Sequence, residues 1–223
     1  MKGGEVLYSE QFGNYDSEPP DHWWVEGGER VWIDDGRLRV MANPQDQSGS
    51  EHVCTVWNKR VFEGDLRVDF KTCVLDSTIN ANNINFFLCY AHPDGTSLYE
   101  SRALRRDGSY AHYHQLNGYI FTFLNDRSCE GESDDQGRPR ARFRMRRCPG
   151  FELLTETFDY HCRKGVAYEI SITKRGGNIS FSVDGTEYLS AFDPQPWREG
   201  VLGFRTFQTD LWWDDIRVSR PVG

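Results

Sequence analysis

The sequence lacks the patterns of several protein classes. No apolar run approaches the roughly 20 residues that a membrane-spanning helix requires. The first residues, Met1 to Tyr8, contain no apolar secretion segment. The formal net charge of -8 argues against nucleic acid or anionic membrane as a partner, because surfaces of like charge repel. These absences predict a cytoplasmic protein, unless an export signal precedes the sequence.

Common catalytic motifs are also missing. The chain has no Gly-x-Ser-x-Gly elbow, phosphate-binding loop, dinucleotide fingerprint or His-Glu-x-x-His helix. It also lacks the Glu-x-Asp-x-x-Glu strand of laminarinase-type glycosidases. None of the six cysteines forms a C-x-x-C pair, and Cys54, Cys73 and Cys89 lie in apolar runs typical of buried free thiols. We therefore predict no cofactor and no metal.

Helical periodicity is scarce, and strand patterns dominate the chain. A helix is indicated only around Thr96 to Leu104, while Asp-Gly turns at Asp35-Gly36 and Asp184-Gly185 separate alternating segments. Many short strands with little helix predict an all-β sandwich or barrel. Without a composition break or an internal repeat, the 223 residues predict a single domain over 1–223. The predicted strands are Glu5–Glu10, Trp23–Glu26, Arg30–Ile33, Arg37–Met41, His52–Trp57, Gly64–Leu75, Ile84–Tyr90, Tyr119–Leu124, Arg140–Met145, Gly150–Glu156, Ala167–Lys174, Asn178–Val183, Thr186–Ala191, Val201–Thr206 and Leu211–Val218.

Two segments are longer than ordinary hairpin loops. His92 to Gly118 is rich in Tyr, His and Arg, a composition typical of a binding loop, whereas Asn125 to Pro139 has the acidic and polar composition of a mobile loop.

Five arginines alternate along the segment that follows the second loop. Side chains alternate sides along a strand, so an extended segment would present the guanidinium groups on one face. An anionic ligand would offset their repulsion, because the planar guanidinium matches carboxylate, sulfate or phosphate. Acidic residues just upstream could neutralise the stripe instead, or the stripe could be a solvated face. The arginines are Arg138, Arg140, Arg142, Arg144 and Arg146, and the acidic residues are Glu130, Glu132, Asp134 and Asp135.

A series of short motifs, taken in order, resembles one family. The motifs are Leu7-Tyr8, Val25 to Gly28, Asp34 to Leu38, Phe86-Phe87, Leu104 to Tyr110, Tyr113-His114, Arg146-Arg147 ahead of Gly150 to Leu153, Phe181 to Gly185, and Gly203 to Arg205. They resemble the YesU-like proteins, a bacterial family without an established function. The resemblance covers the whole chain. It implies a concanavalin- or galectin-like jelly-roll sandwich of two antiparallel sheets, and an association with the breakdown of acidic polysaccharides.

The candidate catalytic residues are His114, Tyr110 and Arg205. If their segment is extended, Tyr110, His112 and His114 share one face, and histidine with tyrosine can transfer protons near neutral pH. Arg205 lies on an apolar strand, where its charge needs a partner, either a substrate carboxylate or an internal Asp such as Asp214 or Asp215. His, Tyr and Arg together suit β-elimination on a uronic acid. In the alternative, the tyrosines pack under the loop and the histidines are only exposed.

These observations predict a protein that acts on acidic, uronate-containing oligosaccharides by β-elimination, as a lyase or dehydratase. A lectin-like module without turnover is the alternative. A structural subunit that associates through the arginine stripe is a third, and the sequence leaves the oligomeric state open. The candidate substrate-binding residues are Arg144, Arg146, Arg147, His52, Trp57 and Tyr113.

Overall fold

A computed structural model of the protein describes residues 4–44, 49–78, 81–125, 141–158 and 162–222. Within them the regular secondary structure is almost entirely strand. The strands are β1 (Val6–Glu10), β2 (Trp23–Gly27), β3 (Arg30–Asp34), β4 (Arg37–Met41), β5 (Val53–Asn58), β6 (Phe62–Glu63), β7 (Leu66–Asp76), β8 (Ile84–Ala91), β9 (Asn117–Asn125), β10 (Ala141–Cys148), β11 (Glu152–Thr157), β12 (Ala167–Arg175), β13 (Asn178–Val183), β14 (Thr186–Phe192), β15 (Glu199–Phe207) and β16 (Asp210–Ser219). The helices are short: two 3-10 helices at Phe12–Asn14 and Glu100–Arg105, and one α-helix at Tyr110–Tyr113.

The strands form two antiparallel sheets. The first sheet has the order β14-β13-β12-β7-β16-β4-β3, with β1 paired to β16. The second sheet has the order β11-β10-β9-β8-β15-β5-β2, with β6 paired to β15. Many neighbours within a sheet are distant in sequence, as β8 and β15 are, which is the connectivity of a jelly roll. The predicted all-β jelly-roll sandwich is confirmed.

An aromatic core joins the inner faces of the two sheets. Phe70 of the first sheet packs against Phe86 and Phe204 of the second, with ring centroids 5.4 and 5.0 Å apart. Trp213 of the first sheet closes on Phe204 at 5.5 Å. All four side chains are buried. Large aromatic rings in offset or edge contact bury much apolar area, so this layer supplies a large part of the driving force for folding.

The outer face of the second sheet carries a further apolar layer. Residues 92–116, which we call the crossing segment, run between β8 and β9 and contribute Leu98, Tyr113 and Leu116 to a buried cluster with Trp57 and other residues of the sheet. Gly203 lies directly under Trp57, and a Cβ atom there would come within 2.5 Å of the indole ring. Trp57 can pack against the sheet here because Gly203 has no side chain.

Most predicted strands match observed ones within a few residues, and β6 is an addition. The helix indicated around Thr96 to Leu104 is the 3-10 helix Glu100–Arg105. Of the arginine stripe, Arg138 and Arg140 lie outside the described residues, as do the upstream acids Glu130, Glu132, Asp134 and Asp135 and nearly all of the loop Asn125 to Pro139. In the described part of the chain, no helix is long and apolar enough to cross a membrane. The five described cysteines, Cys54, Cys73, Cys89, Cys148 and Cys162, are buried free thiols.

Candidate functional site

A row of polar side chains crosses the outer face of the second sheet. Residues that stand opposite each other on neighbouring strands point to the same face of a sheet. Following the strand pairing from β11 to β2 gives one such residue on every strand. We call these residues the polar row: Glu156, Arg144, Thr122, Asn85, Arg205, Thr55 and Glu26. On the neighbouring row β9, β8 and β5 carry the apolar residues Ile120, Phe87 and Trp57.

A pocket of about 790 Å³ lies over the middle of the polar row, which is within the range of roughly 300–1,000 Å³ typical of small-ligand sites. Strand residues form its floor, and the crossing segment and the turn after β10 supply other lining residues. The floor and its surroundings include Asn83, Asn85, Thr122, Arg144, Arg146, Arg205 and Phe207; the loops and strand ends add Gly49, Ser50, His52, Val53, Ala81, Asp107, Ser109, Tyr110 and Phe151.

Arg205 is a buried cation at this pocket. Only 1% of the residue is exposed, and its Nη1 donates to the Thr55 hydroxyl at 2.9 Å and to the Gly108 carbonyl at 2.7 Å. Its Nε has no hydrogen bond, and no carboxylate of the described residues lies within 4.0 Å of the guanidinium. The internal partners considered from sequence, Asp214 and Asp215, lie on β16 of the first sheet, where Asp215 pairs with Lys71 at 2.6 Å. Among the described residues, the Arg205 guanidinium therefore contacts neutral groups and has no anionic partner.

A cluster of rings forms the wall beside Arg205. The Arg205 guanidinium lies 4.8 Å from the centre of the Tyr110 ring. Tyr110 meets His114 edge-on at 4.6 Å, and His114 stacks on Phe151 at 3.8 Å. Arg146 covers the Phe151 ring at 4.1 Å and donates from Nη1 to the Phe151 carbonyl at 2.9 Å. Two cations without a carboxylate partner among the described residues, Arg205 and Arg146, thus flank one aromatic cluster.

The segment that carries Tyr110 and His114 is a short helix, and not the extended form considered from the sequence. In the helix Tyr110–Tyr113, continued by His114 as its C-cap, residues four apart share a face, which brings Tyr110 and His114 together. His112 points elsewhere, and its Nε2 lies 2.9 Å from Oδ1 of Asp107. The hydrogen bond from Tyr113 to Glu26 and the packing of Tyr110 at Arg205 favour the helix over the extended form.

The surroundings shift the proton affinity of both Tyr110 and His114. Burial raises the pKa of Tyr110 to about 12, against an opposing effect of the Arg205 charge. Burial and the positive charges of Arg205 and Arg146 lower the pKa of His114 below its usual range. Near neutral pH Tyr110 therefore keeps its proton, and His114 is neutral. His114 is not among the lining residues, and its Nε2 is buried without a hydrogen bond.

The structure brings together five of the predicted site residues at the pocket: Tyr110, Arg205, Arg144, Arg146 and His52. Nδ1 of His52 is buried and has no hydrogen bond among the described residues. Arg144 is already paired, because its Nε donates to Glu156 at 3.1 Å. Glu156 on β11 therefore neutralises part of the positive charge of the arginine stripe.

Three predicted substrate-binding residues do not line the pocket. Trp57 and Tyr113 are fully buried, and both donate hydrogen bonds to Oε2 of Glu26, at 3.0 and 2.8 Å. They support the crossing segment from below and present no surface to a ligand. Arg147 follows Arg146 on the strand and so points to the opposite face, where its Nε donates to Asp193 at 2.9 Å.

Sequence reasoning missed Asn83, Asn85, Thr122 and Phe151. Asn85 on β8 and Thr122 on β9 are direct neighbours in the polar row. Oδ1 of Asn83 is buried without a hydrogen bond among the described residues. A signal existed for Asn85, a polar residue between Ile84 and Phe86 in an otherwise apolar strand. No comparable signal marks Phe151, which lies in the turn between β10 and β11.

Comparisons with known proteins identify the family. Residues 49–216 match the family described as "Domain of unknown function (DUF6250)". The chain belongs to this family. Every residue that lines the pocket falls within the matched part of the chain. A search of curated proteins finds no significant match. The family description carries no activity, and the resemblance to YesU-like proteins and to acidic-polysaccharide breakdown remains a prediction.

Solved structures of similar fold extend the comparison. A protein of unknown function with a galectin-like fold from Bacillus subtilis is 21% identical, with a TM-score of 0.76 and coverage of 99% of this chain and 98% of that chain. The carbohydrate recognition domain of Emp47p is 11% identical, with a TM-score of 0.65 and coverage of 99% and 98%. An endo-beta-1,3-glucanase from Pyrococcus furiosus is 12% identical, with a TM-score of 0.61 and coverage of 98% and 95%. At these identities the likeness establishes the galectin-like fold.

Proposed function

We propose that this DUF6250 protein binds acidic oligosaccharides in the pocket over the polar row and acts on a uronate residue by β-elimination. The observation that carries the proposal is Arg205, a cation that is 1% exposed, lines the pocket and has no carboxylate partner among the described residues. An unpaired buried charge costs on the order of several kcal/mol. A ligand carboxylate would offset this cost, since it matches the guanidinium in charge and geometry.

The remaining lining residues suit a sugar that carries this carboxylate. Asn83, Asn85 and Thr122 offer amide and hydroxyl groups for hydrogen bonds to sugar hydroxyls, while Tyr110 and Phe151 offer ring surface. Two of the similar structures bear names of glycan-binding or glycan-cleaving proteins, the Emp47p carbohydrate recognition domain and the endo-beta-1,3-glucanase. Their fold likeness supports a glycan as ligand class, and the buried cation supports a uronate within that class.

The chemistry follows from the same groups. In β-elimination a base removes the proton beside the carboxylate, the electron pair forms a carbon–carbon double bond, and the bond to the leaving oxygen breaks. Arg205 would stabilise the charge that develops on the carboxylate. Tyr110, which holds its proton at neutral pH, would donate to the leaving oxygen, and the unpaired Nδ1 of His52 would accept the first proton. His114 does not line the pocket but meets the Tyr110 ring edge-on, so it would act as a positioning residue.

A lectin-like role without turnover is the second candidate. The placement of His114 favours it, because the histidine first expected to act as base does not line the pocket. The binding part of the proposal is common to both candidates, and only the proton-transfer roles of Tyr110 and His52 distinguish them.

The test is incubation of the protein with uronate-capped rhamnose–uronate oligosaccharides while the ultraviolet absorbance of the unsaturated product is followed. Rising absorbance supports elimination, binding by calorimetry without absorbance supports the lectin-like role, and absence of binding refutes both. Tyr110→Phe should retain binding and lose rate, whereas Arg205→Met should lose binding. Arg175→Met, which changes an exposed arginine of the first sheet, is the matched control and should leave both unchanged.

A further inference from the structure

We infer that the pocket receives the terminal residue of an acidic oligosaccharide chain, with the uronate at the end of the chain and not within it. This inference rests on the proposed function and adds the position of the recognised sugar. It comes from the shape of the polar row, which is closed at one end and exposed at the other.

The closed end lies just beyond Arg205. The next two members of the row, Thr55 and Glu26, are 0% and 1% exposed. Glu26 is covered by the crossing segment, since it accepts the Tyr113 hydroxyl at 2.8 Å and pairs with Arg105 at 3.1 Å. The Gly108 carbonyl of the same segment accepts from Arg205. Main chain and buried side chains thus leave no passage along the row past Arg205.

The exposed end lies at β10 and β11. The side chain of Arg144 is 24% exposed and that of Glu156 is 33% exposed, against 1% for the whole of Arg205. Arg205 and Arg144 stand on strands three spacings apart, which corresponds to roughly 14 Å at about 4.8 Å per strand. A chain that lies along the row therefore enters over Arg144 and reaches Arg205 with its end.

The pairing of charges also differs between the two ends of the polar row. At the exposed end Arg144 is paired with Glu156, so it offers little to a second carboxylate. At the closed end Arg205 has no carboxylate among the described residues, and Arg146 lies beside the Phe151 ring near it without one. The unbalanced positive charge is therefore concentrated where the terminal sugar would lie, and the first carboxylate of the chain is the one that the site selects.

Two matched oligosaccharides test the inference by calorimetry. The first is a tetrasaccharide of alternating glucuronate and rhamnose with glucuronate at the non-reducing end. The second carries one further rhamnose at that end, so that each glucuronate is internal. We expect the pentasaccharide to bind roughly tenfold more weakly or worse, because the added sugar meets the closed end of the row. Free glucuronate should compete with the tetrasaccharide.

Equal affinity for the two oligosaccharides would overturn terminal recognition while leaving the proposed function intact. Failure of both to bind would overturn the proposed function together with the inference. Arg205→Met should abolish binding of the tetrasaccharide, and Arg175→Met should not change it. A neutral tetrasaccharide such as maltotetraose should not bind, and its binding with similar affinity would show that the carboxylate is not what the closed end recognises.

Discussion

The hydroxyl of Tyr113 donates a hydrogen bond to Oε2 of Glu26 over 2.8 Å and ties the crossing segment to the second sheet. Glu26 is 1% exposed and also accepts from Trp24 and Trp57, while Arg105 pairs with its other oxygen at 3.1 Å. The carboxylate is thus fully partnered, and two of its four partners, Tyr113 and Arg105, come from the crossing segment. Glu26 therefore holds the segment that also carries Tyr110.

Replacement of Glu26 should destabilise the protein strongly. In Glu26→Ala the Arg105 charge stays buried without its partner, which typically costs roughly 3–5 kcal/mol. Tyr113→Phe removes one of several donors and should cost about 1–2 kcal/mol. Urea unfolding measures both changes. Tyr99→Phe is the control, because the Tyr99 hydroxyl makes no hydrogen bond among the described residues. Equal stability of Glu26→Ala and the wild type would contradict the role of Glu26 as the buried partner of Arg105.

Gly203→Ala tests the packing of Trp57 on the sheet. The new Cβ would lie 2.5 Å from the indole ring, which is boxed in by Phe87, Tyr90 and Tyr113 and cannot move freely. Overpacking of this kind costs about 1–3 kcal/mol. Gly13→Ala is the matched control, since no atom lies within 4 Å of its added Cβ. A loss of stability in the control as large as in Gly203→Ala would refute the steric explanation.

Local patterns in the sequence predicted the all-β fold and five of the residues that line the pocket. Alternation along single strands gave most strand positions, and the residue chemistry singled out Tyr110 and Arg205. The polar row was not predictable, because it depends on the register between strands as distant in sequence as β8 and β15. The same limit explains Trp57, whose burial is set by the crossing segment, and Arg144, whose partner Glu156 lies across a strand pair.

The pH dependence of stability should reveal the environment of His114. Its pKa is lowered in the folded protein, so as the pH falls below about 6.5 the unfolded chain takes up a proton that the folded protein does not. Stability from this group is complete above pH 6.5 and is lost as the pH falls towards the lower folded pKa. In His114→Phe, which keeps a ring against Phe151, the free energy of unfolding should decline less steeply between about pH 7 and pH 5. If the free energy of unfolding of this variant declines as steeply as that of the wild type, or more steeply, the pKa of His114 is not lowered in the folded protein.

Two buried arginines of the same region should respond differently to the same substitution. Arg105 and Arg205 are 3% and 1% exposed, but Arg105 pairs with Glu26 and Arg205 has no carboxylate partner among the described residues. Arg105→Met leaves the Glu26 carboxylate buried without its cation, so the free energy of unfolding should fall by roughly 3–5 kcal/mol. Arg205→Met instead removes an uncompensated charge.

The loss of the Arg205 hydrogen bonds to Thr55 and Gly108 costs about 1 kcal/mol each. This cost is offset because the variant no longer buries a cation away from water. The free energy of unfolding of Arg205→Met should therefore lie within about 1 kcal/mol of the wild-type value or exceed it. Denaturant titration of both variants, beside calorimetry with a uronate-capped oligosaccharide, separates stability from binding. A large loss of stability in Arg205→Met would mean that the charge serves the fold. Preserved stability with lost binding would mean that the fold tolerates a buried cation because the ligand needs it.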